Sequence, residues 1–149
     1  MWHDDHELFA LMRQRLFPAV VGDILDTMGC LKQFLTPTIR PLRSDMVIIG
    51  RAMPVLEANC FAAHEPAGQT PLSRQAFGLL FQALDDLKAN EVYIATGCSA
   101  NFALWGGLMT TRAMHLKAAG AVLDGYSRDT PEVLASGLPV FSYGGYAQD

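Results

Sequence analysis

Apolar residues fall at helical spacing in three stretches of the chain and in short continuous runs between them. Leu8, Leu11, Met12 and Leu16 share one face of a predicted helix over 5–16. Val20, Val21, Ile24, Leu25 and Met28 do the same over 19–29, where Gly29 is the expected stop. From 45 to 57 the run Met46–Leu56 is rich in β-branched residues and predicts a strand or strand pair, with Pro54 at an edge or a bulge. A Pro- and Gly-rich loop covers 63–72. A helix follows over 73–88, with Phe77, Leu80, Phe81, Leu84 and Leu87 along one side and Asp85, Asp86 and Lys88 on the solvated one. After it come a strand at 91–96, a helix at 103–118, a strand at 121–124, a short helix at 131–136 and a strand at 139–143.

Strands alternating with helices over short connections argue for an α/β fold, a parallel-rich sheet flanked by helices in one domain spanning 1–149. Ligands of such sheets gather beyond the carboxyl ends of the strands, and Arg128 and Asp129 lie just past one of them. The chain stops soon after its last apolar strand, at Tyr143–Asp149, so a sheet edge is expected to lie uncovered.

With 149 residues, half of them apolar, the chain can bury a core without staples. Its 11 Lys and Arg are scattered against 15 Asp and Glu, a net charge of -4, which argues against a nucleic-acid-binding stripe. The polar, acidic start lacks a secretory pattern and no run reaches membrane-spanning length, so a soluble cytoplasmic protein with no membrane partner is expected. Cys30, Cys60 and Cys98 are far apart and odd in number, and are read as buried or inert thiols.

Two segments carry the candidate chemistry. In Ala121–Asp129 an apolar strand ends at Asp124-Gly125 and then presents Arg128 beside Asp129, a guanidinium and a carboxylate suited to an anionic substrate and a hard cation. The same Asp129-Thr130-Pro131-Glu132 also reads as a plain helix cap. In the second segment, Gly106 and Gly107 open the helix that continues through Leu108 and Met109, which offers first-turn amides to an anion; by themselves the glycines are better read as close helix packing against the sheet. Arg112 with His115, His3 and His6 with Asp4 and Asp5, and His64 with Glu65 are weaker groupings, better read as surface, frayed end and solvated loop.

Taken together, Val21–Gly29, Ile39–Leu42, Ile49–Ala52, Phe77–Leu87, Gly120–Asp129 and Pro139–Phe141 resemble, in order and from about Ala19 to Asp149, the class II pyruvate aldolases of the 4-hydroxy-4-methyl-2-oxoglutarate type and the related regulator of ribonuclease activity A. The resemblance implies a β/β/α swivelling-type domain that forms homo-oligomers, trimers or hexamers, with sites at subunit interfaces. It implies a lyase that cleaves 4-hydroxy-2-oxo acids to pyruvate and decarboxylates oxaloacetate on the side. Arg128 then binds the small 2-oxo acid and its developing enolate, Gly106, Gly107, Leu108 and Met109 grip its carboxylate, and Asp129 holds Mg²⁺ or Mn²⁺.

The family signature Gly-x5-[Asp/Glu]-x20-Arg-Asp, counted back from Arg128, meets Asn101 and then Gly107 where the acid belongs. Asp124 is the nearest acidic alternative in sequence, although it reads equally as a strand-end carboxylate. The resemblance also implies further strands after 139–143, so by this expectation the chain is C-terminally short and its catalysis weak. The rival expectations are a non-catalytic interaction module similar to the ribonuclease regulator, and an inactive fragment.

Overall fold

The computed structural model describes residues 1–59, 78–98 and 100–147. It opens with helices α1 (Asp5–Arg15) and α2 (Pro18–Thr27), followed by strands β1 (Arg40–Pro41) and β2 (Arg51–Leu56). Then come α3 (Gly78–Asp85), β3 (Glu91–Thr96), β4 (Ala103–Trp105), α4 (Gly107–His115), β5 (Gly120–Leu123), β6 (Tyr126–Ser127), α5 (Thr130–Ser136) and β7 (Val140–Ser142). The main sheet has the order β1-β7-β5-β3-β2, parallel throughout except for the antiparallel β1–β7 pair. A separate parallel pair, β4 with β6, lies beside it. This is the expected mixed α/β architecture, a parallel-rich sheet with helices around it. The predicted loop at 63–72, with His64 and Glu65, and the start of the helix at 73–88 lie outside the described residues.

The core forms where helices cover the central strands. Leu84 and Leu87 from α3 and its end, Tyr93 and Ala95 from β3, Trp105 from β4, Ala113 from α4, Leu123 from β5 and Val133 from α5 join one buried cluster. The Tyr93 and Trp105 rings meet at a centroid distance of 5.2 Å. Full enclosure of the Trp105 indole requires a partner for its N–H. Thr110 supplies it: Trp105 Nε1 donates to Thr110 Oγ1 at 2.7 Å, and that hydroxyl donates to the Gly106 carbonyl at 2.9 Å. The first turn of α4 is thereby pinned to the core.

Three expectations change. The predicted helix over 103–118 begins only at Gly107, because Ala103-Leu104-Trp105 is extended and pairs with β6. All three residues of β4 are buried, and a fully buried triplet has no periodicity by which to tell strand from helix. The strand expected from Met46 starts only after Gly50, where a side chain would collide with the Asn90 carbonyl and with Val92. The outer edge of β7 is covered, since β1 pairs Arg40 with Ser142 and Pro41 with Phe141. Other expectations hold. Gly29, at φ 80°, follows the end of α2, and Pro54 lies on β2, an edge strand among the described residues.

Removing the Thr110 hydroxyl leaves a buried indole N–H unsatisfied. Thr110→Val should therefore lower the unfolding free energy by about 1–3 kcal/mol in chemical denaturation.

Candidate active site

The candidate site lies where β4 passes into α4 and β6 passes into α5. The Arg128 backbone N–H donates to the Trp105 carbonyl at 2.8 Å, which carries the β4–β6 pairing up to the mouth of the two helices. Asp129 follows in the left-handed conformation, φ 55° and ψ 36°, a region that Asp tolerates better than most residues. It stands at the N-cap position of α5, yet its side chain caps no amide of that helix. The left-handed turn aims the carboxylate at the neighbouring helix instead, where Oδ2 accepts the Gly107 N–H at 3.0 Å. Asp129 therefore does not cap its own helix with its side chain and instead receives the first amide of α4. Its Oδ2 lies 3.7 Å from Arg128 Nε, and both side chains remain substantially exposed.

The two glycines leave space that the facing side chains occupy. A Cβ on Gly106 would lie 2.9 Å from Asp129 Oδ2 and 3.2 Å from Arg128 Cγ, and one on Gly107 would lie 2.5 Å from Glu132 Oε2. Two clefts meet at the Arg128–Asp129 pair. One, of about 330 Å³, is lined also by Thr130, Gly145, Tyr146 and Ala147. The other, of about 90 Å³, runs along Gly106, Gly107, Leu108 and Met109 toward Leu80 and Phe81. All six sequence-predicted site residues therefore gather on one surface. The first-turn amides of Leu108 and Met109 point out of the start of α4 with no intrahelical acceptor. Sequence reasoning missed Tyr146, whose N–H donates to the Ser127 carbonyl and brings it to the cleft wall.

The remaining candidates fall elsewhere. Asp124 accepts from Tyr143 Oη at 2.5 Å and from Thr96 Oγ1 at 2.7 Å, and these hydroxyls hold its pKa below the usual carboxylate range. That arrangement ties strand ends together and is a structural role. Arg112 pairs with Asp85 of α3, Asp4 caps α1, and Asp5 pairs with Arg51, so those groupings are likewise structural. Cys30 is exposed rather than buried and Cys98 is half-buried. Among the described residues no three His, Cys, Asp or Glu side chains converge as a ready metal cage, and no helix is long and apolar enough to cross a membrane.

A family model described as RraA-like, Aldolase/RraA, matches residues 19–149. A crystal structure described as one of novel cellulases from microbes associated with the gut ecosystem superimposes with a TM-score of 0.77 at 26% identity; it covers 99% of this chain, which spans only 62% of that one. RraAS2 of Streptomyces coelicolor, an unusual member of the RNase ES inhibitor RraA family, gives 0.76 at 20% identity over 98% of this chain and 67% of its own. The RNA-processing inhibitor RraA from Thermus thermophilis gives 0.61 at 20% identity over 85% and 68%. A search of curated proteins finds no significant match.

The Asp124 arrangement has a pH signature. A depressed folded pKa contributes stability that is present above the ordinary Asp range and lost as pH falls through the folded value. Tyr143→Phe removes the largest cause of the depression. It should raise the Asp124 pKa in an NMR titration and destabilise the protein more at neutral pH than in strong acid.

Proposed function

Because the chain belongs to the RraA-like (Aldolase/RraA) family, we propose that it is a divalent-metal-dependent lyase that cleaves 4-hydroxy-2-oxo acids to pyruvate and decarboxylates oxaloacetate as a side reaction. The observation that carries this reading is the convergence of Arg128, Asp129 and the start of α4 on two adjoining clefts. Breaking the bond between C3 and C4 of a 2-oxo acid leaves an enolate, and the Arg128 guanidinium stabilises that charge while it binds the substrate. The substrate carboxylate is received by the amides of Leu108 and Met109, with Gly106 and Gly107 allowing it to approach the backbone closely.

Asp129 is the residue that would hold Mg²⁺ or Mn²⁺. Its exposed carboxylate suits a hard cation that keeps several waters and takes one or two carboxylates. When bound, such an ion supplies Lewis-acid stabilisation of the developing negative charge.

The proposal includes a homo-oligomer, a trimer or hexamer. Its support is the apolar surface left open at the two ends of α2 and along the segment after it, where Phe17, Met28, Leu31, Phe34 and Leu35 are all at least 60% exposed. A second reading, a non-catalytic interaction module, is favoured by Gly107, which brings no acidic side chain of its own to the site.

The test is pyruvate release from 4-hydroxy-4-methyl-2-oxoglutarate and from oxaloacetate with Mg²⁺ or Mn²⁺. Chelation should abolish turnover, and Arg128→Ala should lower kcat/KM by about 10²–10³-fold with an unchanged circular dichroism spectrum. Turnover that survives both would overturn the metal-dependent mechanism built on Arg128. Silence of the parent with every metal would leave the interaction module in its place.

A further inference from the structure

We propose that Glu132 is the proton-transferring carboxylate of this site, an assignment that rests on the lyase reading. Glu132 lies in the first turn of α5, which starts with the bond from the Val133 N–H to the Asp129 carbonyl. From there its carboxylate lies over the Cα of Gly107. A Cβ at that position would be 2.5 Å from Oε2, 2.6 Å from Cδ and 2.9 Å from Oε1. The Glu132 carboxylate therefore occupies the space that a side chain on residue 107 would fill.

The next residue back, Gly106, stands in the same relation to Asp129, so two carboxylates from the start of α5 bracket the two glycines that open α4. They differ in what they do there. Asp129 is engaged by the Gly107 N–H and faces Arg128. Among the described residues the Glu132 carboxylate makes no hydrogen bond or ion pair, and it is open to solvent with which it can exchange a proton.

The chemistry needs one such group. In the aldol cleavage the Glu132 carboxylate takes the proton of the C4 hydroxyl. The bond between C3 and C4 then breaks as C4–O becomes a carbonyl, and the bonding pair forms the enolate across C3, C2 and the C2 oxygen. Glu132, now a carboxylic acid, returns the proton to C3, which gives pyruvate and restores the carboxylate. In oxaloacetate decarboxylation CO₂ leaves without releasing a hydroxyl proton, so the proton that reaches C3 comes from water through Glu132. Asp124 is withdrawn from this task by its bonds to Tyr143 and Thr96.

The experiment compares the parent with Glu132→Gln in the presence of Mg²⁺. It follows exchange of pyruvate methyl protons in D₂O by NMR, steady-state turnover of 4-hydroxy-4-methyl-2-oxoglutarate, and calorimetric binding of oxalate as an enolate mimic. Glu132→Gln should lose about 10²-fold or more in methyl exchange and in kcat, with KM and oxalate affinity within about threefold of the parent. Exchange retained in the variant, while the parent is active, overturns the assignment and leaves the lyase standing. Loss of oxalate binding together with exchange also overturns it, because Glu132 then acts by shaping the site. A parent that neither exchanges nor turns over removes the lyase reading and this assignment with it.

Discussion

Two hydrogen bonds that run in opposite directions hold the functional end of the molecule together. The Arg128 N–H donates across to the Trp105 carbonyl, and the Gly107 N–H donates back to the Asp129 carboxylate. Each residue that enters a helix on one side is thereby fixed by the strand or helix on the other. The clamp reaches the core through Trp105, whose indole is held by Thr110 one turn into α4. Strand pairing, helix initiation and core packing meet within a few residues, so the direction in which Arg128 and Asp129 project is set by the fold and not by side-chain freedom alone.

Much of this was legible in the sequence because the informative residues are neighbours in it. Arg128 and Asp129 are adjacent, Gly106 to Met109 are contiguous, and the apolar runs of β3, β5 and β7 are bounded by turn residues. Strands buried on both faces read as continuous apolar runs, and those three were found close to their observed limits. What could not be read depends on contacts between distant segments. The two-residue strands β1 and β6 carry no periodicity, and they exist only because β7 and β4 are there to receive their hydrogen bonds. Ala103-Leu104-Trp105 reads as helix for the related reason that burial on every side removes the pattern.

The position of Glu132 could not be read from the sequence. In sequence it is the third residue after a capping Asp, where an acidic side chain is ordinary. Only the packing of α5 against α4 shows its carboxylate over Gly107, and only then does that glycine read as a clearance as well as a missing acid. Asp124 illustrates the converse. It is a conspicuous acid at a strand end, and the structure commits it to the hydroxyls of Thr96 and Tyr143.

The left-handed backbone of Asp129 narrows what can stand at that position before any chemistry is considered. Side chains that hydrogen-bond locally, Asp and Asn, enter this region with the least strain after glycine, whereas most others cost roughly 1–2 kcal/mol there. Of these two only Asp carries a charge, and they are nearly the same size and shape. A change between them alters the electrostatics of the clefts while leaving the turn, the start of α5 and the approach to α4 in place. The scaffold can therefore give up its negative charge at this point and keep its form.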